Sequence, residues 1–72
     1  MRQPQINQRY RHYKGGLYRV EGIVSHSEDL SLLVLYRSLK EPERLSVRPL
    51  SMWFEWVEAA GTERFVLLVD SQ

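Results

Sequence analysis

From Gly16 to Val24 the chain reads GLYRVEGIV, an alternation that puts Tyr18, Val20 and Val24 on one face with Gly22, and Arg19 and Glu21 on the other. A period of two predicts a strand with one wet face. The glycine inside it predicts a bulge or sharp bend, as small barrels need where a strand turns a corner. SHSEDLS, Ser25 to Ser31, is rich in serine and acid and reads as a loop between paired strands. LLVLYRSL follows with apolar residues on both faces, Leu32, Val34 and Tyr36 on one and Leu33, Leu35 and Leu39 on the other, and Arg37 as its only charge. That run predicts a central strand covered on both sides. After KEPER, a turn centred on Pro42, LSVRP resumes the alternation. Leu45 and Val47 are expected to face the core and Ser46 and Arg48 to face away, with Pro49, which cannot donate to a ladder, ending the strand.

SMWFEWVEAAG changes period: Met52, Trp53, Trp56 and Val57 recur at helical spacing. A helix of one or two turns is predicted, capped by Ser51 and closed by Gly61 in a left-handed conformation. RFVLLVD reads as the last strand, with Phe65, Leu67 and Val69 on one face. Four strands, one short helix and no long crossover predict a mainly β fold, a small SH3-like antiparallel β-barrel of four to five strands whose helix plugs one open end. An open sheet with the helix packed on one face is the alternative. Residues 1–9 are polar and glutamine-rich, with Pro4 and one aliphatic residue, Ile6, and are expected to form a flexible N-terminal arm. Residues 10–72 then make a single small domain, without repeat or linker.

The length limits what such a domain can spare. A chain of 72 residues has an expected net stability of about 4–11 kcal/mol, so few core positions are free for chemistry. The absence of cysteine excludes disulfides, thiolate metal sites and thiol nucleophiles, and suits a reducing compartment. MRQPQINQRYRHYKG lacks the apolar core of a secretory signal, and no stretch is apolar for the length a bilayer span requires. A cytoplasmic location without membrane attachment is expected. The net charge of +1 conceals an asymmetry: Arg2, Arg9, Arg11, Lys14 and Arg19 precede the first acid, Glu21, whereas Glu55, Glu58, Glu63 and Asp70 face a lone Arg64 after Ser51. Such a distribution marks either a polyanion-binding arm or a solvated tail balanced by distant acids.

YRHYKGGLYRVEGIVSHSED, LVLYRSL, VRPLSMWFE and RFVLL, in that order over about residues 9–69, resemble the uncharacterised bacterial family known as domain of unknown function 1653. The resemblance implies a small, stand-alone, cytoplasmic β-rich domain and no particular activity. By that pattern the first loop carries a threonine where this chain has Asp29 and a further acid where it has Ser31. A tryptophan is expected at Ser46 and an acid at Ser51, so a ligand held by those acids or stacked on that tryptophan would be bound differently here.

Three kinds of chemistry are open to these residues. His26 and Glu28 share a face of an extended segment, and with His12 they offer imidazole and carboxylate ligands to a divalent metal; the plainer reading is a turn held by Ser25, Ser27 and Glu28. No cofactor is predicted. Catalysis by His26 and Ser27 fails because strand neighbours point to opposite faces, and an enzyme is the less favoured expectation. Tyr10, Tyr13, Tyr18 and Tyr36 with Arg9, Arg11, Lys14, Arg37 and Arg48 could make a nucleic-acid surface, although Tyr18 and Tyr36 sit on apolar stripes and suit a core with their hydroxyls at its rim. Arg48 can take a carboxylate or phosphate in two parallel hydrogen bonds, or form an internal ion pair with Glu28, Asp29 or Glu55. The sequence therefore predicts a binding module for a small anionic molecule or a protein partner, monomeric or weakly dimeric, with nucleic acid as the alternative ligand. Its ligand-binding residues are expected to be His12, Tyr13, Lys14, His26, Glu28 and Arg48, gathered in one cleft.

Overall fold

The computed structural model describes residues 2–69; Met1 and the last three residues of the predicted domain, Asp70 among them, lie outside it. The elements are β1 (Arg9–His12), β2 (Leu17–Ser25), β3 (Leu32–Ser38), β4 (Leu45–Pro49), α1 (Leu50–Trp53), β5 (Trp56–Val57), β6 (Thr62–Glu63) and β7 (Phe65–Leu67). Five of the strands form one antiparallel sheet in the order β4-β3-β2-β1-β7, and β5 pairs with β6 in a separate ribbon. The fold is mainly β with one short helix, as the pattern predicts. Among the described residues the ladder has β4 and β7 as its two edges, with no hydrogen-bonded pairing between them.

The bulge falls next to the glycine that suggests it. Val20 opposes Tyr36 and Gly22 opposes Leu35, so Glu21 is the extra residue. An inserted residue reverses the facing of everything after it. Ile23 therefore packs against the core while Val24 is exposed, the opposite of the unbroken alternation. On the outer face, Glu21 accepts hydrogen bonds at 3.1 Å from Nε of both Arg19 and Arg37, which lie opposite each other on β2 and β3.

The core is Tyr10, Val20, Val34, Tyr36, Leu50, Trp53 and Phe65. Trp53 and Phe65 are both 0% exposed and stack in parallel at 3.8 Å, and Tyr10 and Tyr36 meet the Trp53 ring edge-on at 5.4 and 5.1 Å. Each such pair adds about 0.5–1.5 kcal/mol beyond the area it buries.

No residue of β4 belongs to this core, and that corrects the sequence reading. Ser46 opposes Tyr36 and Arg48 opposes Val34, so Ser46 and Arg48 share the inner face with those buried residues. Leu45 and Val47 point outward and are 49% and 53% exposed. β3 is apolar on both faces, so its pattern could not say which face α1 covers; with the Val34 and Tyr36 face chosen, the register dictates the rest. The outer leucines of β3, Leu33 and Leu35, are half-buried rather than covered by a second layer.

The predicted helix is also shorter. It ends at Trp53, Pro49 rather than Ser51 occupies its N-terminal boundary, and no side chain caps it. Trp56 and Val57 instead open the β5–β6 hairpin. Gly61, at φ 65°, closes that turn by donating its N–H to the Val57 carbonyl at 2.9 Å. A one-turn reversal reads like helix by spacing, which is why the two could not be separated. Trp53 is core and Trp56 is exposed.

The N-terminal segment lies along the sheet. Asn7 N–H donates to the Val20 carbonyl and Val20 N–H donates to the Gln8 carbonyl, at 2.8 and 2.9 Å. Pro4 is buried, and the Arg2 guanidinium sits 3.8 Å above the Phe54 ring while pairing with Glu63. No helix among the described residues is long and apolar enough to cross a membrane.

Candidate functional site

The six residues expected in one cleft divide into two groups. His12 and Arg48 both border Phe65: the imidazole meets that ring edge-on at 4.8 Å, and the Arg48 guanidinium lies 5.5 Å from its centroid. Tyr13 packs on His12 with ring centroids 4.6 Å apart, and Lys14 Nζ lies 5.8 Å from the centre of the Tyr13 ring. His12 Nδ1 accepts the Lys14 backbone N–H at 3.2 Å, which requires an unprotonated Nδ1. Burial, and after it the charges of Arg48, Arg64 and Lys14, lower the His12 pKa from its ordinary 6.5. His12 thus packs between Tyr13 and Phe65 with its Nδ1 taken by a backbone N–H.

His26 and Glu28 are elsewhere. β2 runs from Leu17, which opposes Arg11 beside His12, to Ser25, which opposes Leu32. At roughly 3.3 Å per residue, its length sets the His26 loop some way along the sheet from the His12 turn. There His26 N–H donates to the Ser31 carbonyl, its Nδ1 accepts Glu28 N–H at 3.0 Å, and Asp29 accepts Ser31 N–H at 2.9 Å. His26 and Asp29 therefore hold the turn, the structural role the sequence had offered to Ser25, Ser27 and Glu28. Among the described residues, no group of three His, Cys, Asp or Glu side chains is placed to hold a metal ion. Only His12, Tyr13, Lys14 and Arg48 of the predicted set keep company, around Phe65.

Arg48 and the exposed Arg11 both lack an ion pair among the described residues, and of the two only Arg48 is half-buried, on the inner face of the sheet. Arg2 pairs with Glu63, Arg19 and Arg37 share Glu21, Arg44 pairs with Glu41, and Arg64 pairs with Glu55 at 2.7 Å. None of the acids proposed as an internal partner for Arg48 takes that role: Glu55 is engaged by Arg64, and Glu28 and Asp29 sit in the distant loop. Among the described residues no carboxylate pairs with Arg48, and its Nε is shielded from solvent without an acceptor. A buried donor left without an acceptor costs about 1–3 kcal/mol.

Arg48 lines a cavity of about 250 Å³ whose wall is almost wholly polar, together with Tyr18, Tyr36, Ser38, Glu41, Arg44 and Ser46. Register explains the gathering. Tyr18 opposes Ser38, Tyr36 opposes Ser46, and Arg48 follows Ser46 on the same face of β4, so the inner side chains of three strands meet there. The Tyr18 and Tyr36 rings pack edge-on at 5.3 Å on the flank of the aromatic core. Ser38 Oγ meanwhile accepts the N–H groups of Lys40 and Glu41, fixing the turn that carries Glu41 and Arg44. Guanidinium, phenol and aliphatic hydroxyl together make a donor-rich site suited to an oxyanion.

Sequence reasoning found Arg48 but put it on the wrong face, and so missed Ser46 and Arg44 as its companions. The available signal was the stripe Tyr36, Ser38 on β3, where the inner face turns polar at the strand's end. Of the four tyrosines weighed for a nucleic-acid surface, Tyr10 and Tyr36 are buried, Tyr18 packs against the core and Tyr13 is half-buried.

No curated protein and no solved structure matches the chain. The family model described as a protein of unknown function, DUF1653, matches residues 8–67, which spans β1 to β7 and includes every residue of the Arg48 cavity. The chain belongs to the DUF1653 family of proteins of unknown function.

Proposed function

We propose that this domain is a binding module for a small anion, held in the cavity that Arg48 shares with Tyr18, Tyr36 and Ser46. The observation that carries the reading is the half-buried arginine on the inner face of β4 that has no carboxylate partner among the described residues, where Arg2, Arg19, Arg37, Arg44 and Arg64 each have one and the unpaired Arg11 is exposed to water. The Arg48 Nε is without an acceptor, a cost that contact with the Phe65 ring offsets only in part, whereas an entering oxyanion supplies both the charge and the acceptors. Binding rather than turnover fits the chemistry of the wall. Tyrosine, serine and arginine orient an anion, while the two histidines have their Nδ1 atoms occupied by backbone N–H groups at 3.2 and 3.0 Å.

The test is ligand-observed NMR in low-salt chloride buffer against a panel of small carboxylates and phosphate esters, with wild-type protein and Arg48→Gln. At least one panel member is expected to bind the wild type and lose at least tenfold in affinity with the variant. A panel that binds neither, or binds both equally, overturns the reading.

A further inference from the structure

Resting on that reading, we infer that the anion is a monocarboxylate carrying a small apolar body, its carboxylate at Arg48 and its body in the adjoining trough between the β1–β2 turn and the β3–β4 turn. The trough, about 580 Å³, borders the Arg48 cavity, and the two share Tyr18, Ser38 and Glu41 as wall residues. Its remaining wall is Gly15, Gly16, Leu17, Leu39 and Lys40. The composition therefore differs between these neighbouring spaces: guanidinium and hydroxyl groups with one carboxylate in the cavity, and leucine side chains, glycine backbone and the Tyr18 ring, with Lys40 and Glu41, in the trough. A ligand matching both is amphipathic, since an anion alone leaves Leu17 and Leu39, 43% and 36% exposed, in water.

The backbone makes that trough. A Cβ on Gly16 would come within 2.8 Å of the Tyr18 hydroxyl and ring edge, so only glycine lets the Tyr18 ring lie this close to the turn. Gly15, at φ 105°, gives the turn its left-handed residue, and the turn closes through Gly15 N–H to the His12 carbonyl at 2.7 Å.

Charge selects the headgroup. In the polar cavity Arg48 and Arg44 stand against Glu41, a balance of one positive charge, with Arg44 paired to Glu41 at 3.2 Å. A monoanion neutralises that balance, whereas a phosphate dianion would bring its second charge against Glu41. Lys40 belongs to the trough and is exposed. The planar fork of a guanidinium also matches the two oxygens of a carboxylate.

The experiment is a 15N HSQC titration of the full chain, wild type and Arg48→Gln, at pH 7.5 in low-salt chloride buffer. The probes are acetate, hexanoate, hexanol and inorganic phosphate. Hexanoate is expected to shift the amides of Gly16, Tyr18, Leu39 and Ser46. It is expected to bind at least about tenfold tighter than acetate, since each methylene removed from water is worth roughly a fourfold gain. Hexanol and phosphate are expected to bind more weakly than hexanoate, and Arg48→Gln to abolish hexanoate binding. Leu39→Ser, a change at the surface, is a second variant expected to fold normally and to bring hexanoate down to the affinity of acetate. Hexanoate binding no tighter than acetate, or hexanol binding as tightly as hexanoate, overturns the amphipathic ligand. Phosphate binding more tightly than hexanoate overturns the monocarboxylate. Acetate or phosphate binding through Arg48 in any of those cases leaves the anion reading standing; if no anion shifts the cavity amides in an Arg48-dependent way, both fall together.

Discussion

Replacing Arg48 with methionine is expected to make the free protein more stable. The arginine keeps a buried Nε donor without an acceptor, and removing that group recovers about 1–3 kcal/mol. Against this stands the loss of the guanidinium over Phe65, 5.5 Å from the ring centroid, an interaction of about 0.5–2 kcal/mol. A thioether in the same place regains part of that through sulfur–aromatic contact, about 0.3–1.5 kcal/mol. The balance is a gain of about 1 kcal/mol, which in a domain of this size raises Tm by about 4–8 °C. Urea denaturation followed by tryptophan fluorescence measures it, in chloride buffer free of carboxylate and phosphate. The two proteins must give the same m-value for the comparison to report stability alone. With a bound anion at a hundred times its Kd the order is expected to reverse, because the wild type then gains about 2.7 kcal/mol that the variant cannot. A variant that loses 1 kcal/mol or more in the anion-free buffer refutes the reasoning: Arg48 would then be a structural member of the Phe65 cluster.

Trp53→Ala is expected to cost about 3–5 kcal/mol of a stability of about 4–11 kcal/mol, with collapse of near-UV circular dichroism; a cooperative transition shifted by less than 1.5 kcal/mol would show that the Trp53–Phe65 stack is not the centre of the fold. His12, its pKa lowered by burial and by Arg48, is protonated more readily in the unfolded chain. Its contribution is complete above the ordinary value of 6.5 and is lost as pH falls through the lower folded-state value. Wild-type protein should therefore lose more stability between pH 8 and pH 5 than His12→Gln, and parallel curves would remove His12 as the cause. Glu21 and Asp29, held below 4.5 and 3.8 by the hydrogen bonds of Arg19 and of Ser31 respectively, act in a separate and more acid window. Glu21→Gln leaves Arg19 opposite Arg37 without the carboxylate between them; the urea midpoint is expected to fall, and to fall less in high salt. An equal loss at low and high salt would mean that Glu21 acts through bulge geometry and not through charge.

Local chemistry was legible wherever neighbours along the chain decide the outcome. The alternation of GLYRVEGIV, the loop at SHSED, the turn at KEPER and the end of a strand at Pro49 were all readable as sequence, and so was a bulge near Gly22. The bulge shows where that legibility stops. The extra residue is Glu21, and one inserted residue reverses the facing of Ile23 and Val24, which a glycine can suggest but not locate. Arg48 is the sharper case. As an isolated string, LSVRP has one apolar face and one polar face, and the hydrophobic effect assigns the apolar face to the core. The tertiary structure reverses that, because β4 is an edge strand placed in register with β3, where Tyr36 and Val34 already fill the inner face and Trp53 and Phe65 complete the core without it. Only the folded chain decides which polar groups share that inner face. It brings Arg48, Ser46, Tyr18 and Tyr36 together across three strands and sends His26 and Glu28 to a loop at the other end of β2. Residue types and their periods are properties of the string, but a site is a set of distances between segments, and those are set by register and by which face is covered first.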